Sequence, residues 1–82
     1  MDLNERTKVR GFIDNLLRER DDIAGFSDSQ SLFASGRLES LAAVEVVVFL
    51  EQEFGVDFSK IDFQIDRIDS VDLIANFCEE SG

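Results

Sequence analysis

Three sets of residues in this sequence have side chains that could do chemistry: Ser40 at the head of a long apolar run, the lone Cys78, and the carboxylates Asp57, Asp62, Asp66, Asp69 and Asp72. A serine nucleophile needs a base to take its proton and a third group to orient that base. The chain has no His, and Lys8 and Lys60 are its only lysines. Ser40 therefore has no activator of its own, and the protein is expected not to be an enzyme. A calcium loop needs oxygen ligands at alternating positions, a central Gly and a closing Glu. Here Ile61, Phe63 and Ile65 interrupt the acids, and no Gly lies between Gly55 and Gly82. These carboxylates read as solvated groups between core contacts, with no metal site. A single cysteine cannot close an internal disulfide, and Cys78 falls on an apolar stripe where it reads as a small core residue. By position alone, Ser40 reads as a helix cap.

The elements that hold these residues can be placed from periodicity. Between Asn4 and Arg20, the residues Val9, Phe12, Ile13, Leu16 and Leu17 form one stripe of an amphipathic helix, with Asn4 as its expected N-cap. Asp21 to Arg37 reads as a long loop holding Gly25, Gly36 and a Ser-rich run, tacked down by Ile23, Phe26, Leu32 and Phe33. A second helix is expected from Ser40 to Glu53, with Gly55 ending it. It carries Glu45, Glu51 and Glu53 and no Lys or Arg, and is otherwise apolar almost all round. Four of its residues are Val, which helix propensity would not choose, so packing must hold it helical. Val56 to Ser59 reads as an extended tack and Lys60 to Asp66 as one loose turn with Ile61, Phe63 and Ile65 inward. A last helix is expected from Asp69 or Ser70 to Glu80, burying Val71, Leu73, Ile74, Phe77 and Cys78, with Asp69 and Asp72 on its first-turn amides. The expected fold is all-α: a three- to four-helix bundle with a long first loop, one domain over residues 1–82.

Composition narrows the classes further. A chain of 82 residues buries only roughly 60% of its unfolded surface, so a deep enclosed active site is not expected. The net charge is −10, with residues 1–20 near neutral and the rest strongly acidic. Such a surface repels nucleic acid and anionic membranes and favours basic protein patches. No apolar stretch approaches the ~20 residues of a membrane span and no secretory signal opens the chain. A cytoplasmic monomer is the expectation.

Taken together, Leu32-Phe33-x-x-Gly36-x-Leu38-Glu39-Ser40-Leu41, then Val44-Glu45-Val46-Val47, then Leu50-Glu51-x-Glu53-Phe54-Gly55, closely resemble the phosphopantetheine site of the acyl carrier protein superfamily. The tail, Asp62-Phe63 through Ser70-Val71, Ile74 and Phe77, looks like the short third and closing fourth helix of those carriers. The resemblance implies a 4′-phosphopantetheine arm on Ser40, attached from coenzyme A by a phosphopantetheinyl transferase that supplies Mg²⁺. It implies cargo held as a thioester and presented to partner enzymes with basic docking patches: synthases, acyltransferases, or acyl- or aminoacyl-adenylating ligases. The docking residues it implies are Glu39, Leu41, Val44, Glu45, Val48 and Glu51. The family usually has Asp where this chain has Glu39. Ala42, Ala43 and Gln52 stand at positions often polar in the family, so the partner-facing surface is expected to be more apolar than usual. The Leu-Phe-x-x-Gly-x-Leu spacing before Ser40 and the Asp-Phe segment after it also look somewhat like D-alanyl and other aminoacyl carriers, a resemblance that implies a specialised stand-alone carrier over the bulk fatty-acid one. Asp69-Ser70-Val71 imitates the attachment motif, but only a short helix follows, so Ser70 is expected to be a cap. Outside the carrier class, the alternative is an unmodified acidic helical adaptor that binds through the second helix.

Overall fold

The computed structural model describes residues 1–60 and 64–81, which form three α-helices and two short 3-10 turns with no strand among the described residues. Helix α1 spans Leu3–Glu19. Its N-cap is Asp2 and not Asn4: the Asp2 carboxylate accepts from the Glu5 amide at 2.8 Å, and the Glu5 carboxylate accepts from the Asp2 amide at 3.1 Å. This reciprocal pair satisfies two amide donors at once, which Asn4 could not do from inside the first turn. At the other end Asp21 takes the left-handed conformation (φ 61°). Its amide donates to the Arg18 carbonyl and that of Asp22 to the Leu17 carbonyl, the pairing that closes a helix end. The apolar stripe lies where the spacing places it: Val9, Ile13, Leu16 and Leu17 are buried, and half-buried Phe12 stacks on Phe49 with ring centroids 4.3 Å apart.

Helix α2 spans Ser40–Phe54 and ends at Gly55, which adopts φ 68° as the left-handed cap. Ala42, Ala43, Val46 and Leu50 form its buried side. The expectation that Ala42 and Ala43 lie on the partner-facing surface is overturned, since both pack into the core. A helix apolar nearly all round has no phase to read, and small residues mark where it approaches its neighbours most closely. The solvent side instead carries Leu41, Val44, Glu45, Val48, Glu51 and Gln52.

After Gly55, Val56 is buried and a 3-10 turn covers Phe58–Lys60, where an extended tack was expected. The inward placement of Ile61 and Phe63 lies outside the described residues. A second turn covers Ile65–Ile68, with Ile68 fully buried and Ile65 half-buried. Helix α3 spans Val71–Ser81 and buries Val71, Ile74, Ala75 and Phe77. Leu73, expected on that face, is exposed, and Ala75 takes the inward position. Ser70 caps the helix: its hydroxyl accepts from the Leu73 amide at 3.1 Å, and its side chain is buried.

The long loop between α1 and α2 is stapled along its length. Arg6 reaches Asp28 at 3.0 Å and Asp72 at 2.7 Å, joining the loop to both terminal helices. Arg10 pairs with Asp28, donates to the Phe26 carbonyl and lies 4.5 Å above the Phe26 ring. Arg37 holds Asp22 at 2.8 Å. That contact keeps the Asp22 carboxyl below its usual range against the opposing effect of burial. Ile23, expected as an apolar tack, is 80% exposed; the charged staples do its work. No described helix is long and apolar enough to cross a membrane.

Candidate functional site

The loop that leads into α2 is fixed by one carboxylate. Asp69, in the corner between the second 3-10 turn and α3, accepts from the Ser31 hydroxyl at 2.6 Å, the Phe33 amide at 2.6 Å and the Ala34 amide at 3.0 Å. Its backbone carbonyl accepts from the Leu32 amide at 2.7 Å. Asp69 was expected on the first-turn amides of α3; it serves the loop, and Ser70 does the capping. Burial pushes the Asp69 carboxyl up, but the hydrogen bonds from Ser31, Ala34 and Phe33 outweigh it and hold the group below its usual range. Two buried side chains, Leu32 and Leu38, anchor the loop from beneath, and the Leu38 amide closes it onto the Leu32 carbonyl at 2.8 Å. Gly36 makes the turn between them with φ 84°, a conformation an L side chain adopts only with strain.

The loop delivers Ser40 to the first position of α2. Glu39 is the N-cap residue, and its side chain makes no capping hydrogen bond. Ser40 is exposed, and no described residue hydrogen-bonds its hydroxyl. The cap reading of Ser40 is thus replaced: Glu39 holds the cap position, and Ser40 stands one place inside the helix with its hydroxyl hydrogen-bonded to none of the described residues. The hydroxyl stands beside a shallow groove of about 380 Å³ whose walls include Phe33, Leu38 and Ile65. A helix start presents unpaired amides and the positive end of the dipole, both favourable to an attached phosphate. The site therefore fits a phosphodiester on Ser40: the residue is exposed, none of the described residues hydrogen-bonds its hydroxyl, and the loop before it is tied to Asp69.

From Ser40 an exposed stripe runs down α2 at helical spacing. Leu41 (68% exposed), Val44 (59%) and Val48 (43%) are its apolar members, and Glu45 and Glu51 lie among them. The structure brings Glu39, Leu41, Val44, Glu45, Val48 and Glu51 to one continuous side of the molecule. Next to the stripe, Phe12 and Phe49 floor a groove of about 320 Å³ bounded by Val44 and Val48. Glu39 and Glu45 are not free carboxylates. Arg20, the C-cap of α1, donates to the Glu39 carboxylate at 2.8 and 3.1 Å and stands 3.7 Å from that of Glu45.

Sequence reasoning missed Arg20 and gave Asp69 the wrong task. Each acts on a segment distant in the chain, and no local pattern announces either. The remaining candidates do other things. Cys78 is half-buried, and burial with the nearby Glu5 pushes its thiol up to about 11, so it is protonated near neutral pH. Of the acidic run, Asp57 accepts from Ser59, Asp72 pairs with Arg6, and Asp62 lies outside the described residues. No group of three or more metal-ligating side chains converges among the described residues.

A family model described as "Phosphopantetheine attachment site" matches residues 8–78. No match is found among curated proteins or among solved structures.

Proposed function

The chain belongs to the phosphopantetheine attachment-site family and is a carrier of covalently bound 4′-phosphopantetheine, and from that premise we propose that Ser40 is the residue that carries the arm. The observation that supports this most is that Ser40 is exposed at the first turn of α2, its hydroxyl hydrogen-bonded to none of the described residues, after a loop tied to Asp69. Ser70, the other serine in a matching tripeptide, is buried and its oxygen is engaged at the head of α3. An acceptor hydroxyl has to reach the active site of another protein, and Ser40 meets that requirement where Ser70 does not.

In the transfer, the Ser40 oxygen forms a bond to the pantetheine-bearing phosphorus of coenzyme A. The phosphoanhydride bond to that phosphorus breaks, and 3′,5′-ADP leaves with the negative charge. The serine proton passes to a base on the transferase, since no described residue of the carrier hydrogen-bonds the Ser40 hydroxyl to accept it. The dipole at the head of α2 favours the resulting phosphodiester by ~0.3–1 kcal/mol.

The loaded carrier holds an acyl or aminoacyl group as a thioester at the end of the arm. It presents that group to synthases, acyltransferases or adenylating ligases that meet the stripe Leu41, Val44, Glu45, Val48 and Glu51 together with Glu39. Exposed aliphatic groups among carboxylates suit an enzyme surface with an apolar patch rimmed by cations. Contacts of this kind are salt-sensitive and short-lived, as a shuttle between enzymes requires. Incubation with coenzyme A and a broad-specificity phosphopantetheinyl transferase tests the assignment by intact mass. The wild type gains one arm; a Ser40→Ala variant that also gains one refutes it.

A further inference from the structure

Arg20 differs from the other arginines in what it holds. Arg6, Arg10 and Arg37 staple the first loop, Arg18 pairs with Asp14 on its own helix, and Arg67 pairs with Glu80 of α3. Arg20 crosses from the end of α1 to the head of α2 and takes two acids of the docking stripe. Apart from those acids, Arg20 is held to its own helix: Nη1 donates to the Leu16 carbonyl at 2.8 Å and lies 3.8 Å from the Glu19 carboxylate, while Nε and Nη2 both donate to Glu39. Its side chain is 23% exposed, against 63% for Glu39 and 47% for Glu45. The cation is held by the fold and the carboxylates are open to solvent, so the carboxylates can change partner while Arg20 stays.

We propose that Arg20 is a built-in competitor on the docking surface: it occupies Glu39 and Glu45, and a partner enzyme docks there by replacing it. This rests on the carrier reading above and adds to it the kind of partner the surface fits. Arg20 serves Glu39 with two donors and sits close to Glu45 as well, so one isolated lysine is a poor substitute. An enzyme with two closely spaced basic groups, one for each carboxylate, can make the exchange. The same residue reduces the charge beside the Ser40 phosphodiester, because Glu39 would otherwise stand next to it uncompensated. Arg20 thus weakens docking in general and selects enzymes whose basic groups come as a pair.

The test is initial-rate arm addition from coenzyme A by a broad-specificity phosphopantetheinyl transferase, followed by intact mass at low and high salt. Arg20→Gln is expected to lower the carrier's KM roughly two- to fivefold at low salt, the scale of one exposed ion pair. The change should lie in KM and not in kcat, vanish at high salt, and vanish when Glu39→Gln and Glu45→Gln are added to Arg20→Gln. Arg20→Lys keeps the charge and loses the fork, so it should give a smaller shift in the same direction and serves if Arg20→Gln does not fold. An unchanged or raised KM in a variant with the wild-type helical spectrum overturns the proposal. So does a gain that persists without the two carboxylates. Failure of the wild type to take any arm overturns the carrier reading together with this one, whereas modification at an unaltered KM overturns this one alone.

Discussion

Removing the Asp69 carboxylate should loosen the loop in front of Ser40, and the size of the effect follows from its hydrogen bonds. Three donors converge on it: the Ser31 hydroxyl, the Phe33 amide and the Ala34 amide. A hydrogen bond to a charged group contributes ~1.5–3 kcal/mol, but Ala34 is exposed and Ser31 and Phe33 are only half-buried, so water recovers part of each. The sum for Asp69→Ala is ~2–4 kcal/mol, and ~1–2 kcal/mol for Asp69→Asn, whose amide oxygen still accepts. The pH dependence has a definite sign. The carboxyl is lowered in the folded protein from an ordinary 3.8, so its contribution is fully present above that value and is lost as pH falls through the folded one. Urea melts of wild type and Asp69→Asn at pH 7 and in acid measure both quantities. The gap between the two proteins should be full at neutral pH and narrow in acid. A cost below ~0.5 kcal/mol for Asp69→Asn at pH 7, or a gap that does not narrow, refutes the role assigned to this carboxylate.

Further outcomes follow from the helices. Asp21→Gly should stabilise the protein by ~0.5–1 kcal/mol in the same melts, because it relieves a left-handed residue at the end of α1. Leu50→Ala should cost ~2.7–5 kcal/mol, since Leu50 is fully buried. Val48→Ala, on the exposed stripe, should cost under ~1 kcal/mol and instead weaken docking of partner enzymes. Iodoacetamide labelling of Cys78 followed by mass should run ~100-fold slower near neutral pH than for a thiol at the ordinary 9.0, and should rise tenfold per pH unit until about 11. A plateau near 9 would contradict the burial assigned to it.

The course of α2 was legible because an uninterrupted apolar run ends at a glycine suited to a left-handed cap, and the carrier-like motif marked its start. Which side of α2 faces inward was not legible. Apolar residues occupy nearly every position, so Ala42 and Ala43 gave no phase and only packing against α1 and the second 3-10 turn sets it. The true cap of α1 did leave a signal, Asp2-x-x-Glu5, which competed with Asn4 and won because the two side chains satisfy each other's amides. Ile23 and Leu73 failed as buried residues for a related reason: isolated aliphatic residues in loops and at helix edges are free to point outward once charged staples or a neighbouring alanine fill the place. Arg20 and Asp69 were out of reach of local patterns. Their partners are brought to them by the crossing of helices, 19 residues away for Arg20 and Glu39 and 38 for Asp69 and Ser31.

The central claim is that one oxygen, that of Ser40, is offered to solvent so that another enzyme can load it. Proteolysis of transferase-treated protein, followed by mass measurement of the peptides, locates the arm directly. The account predicts the added mass on the peptide holding Ser40, with none on the peptide holding Ser70 and none anywhere in Ser40→Ala. An arm on Ser70, or a wild-type chain that stays at the bare mass of its amino acids, would contradict it.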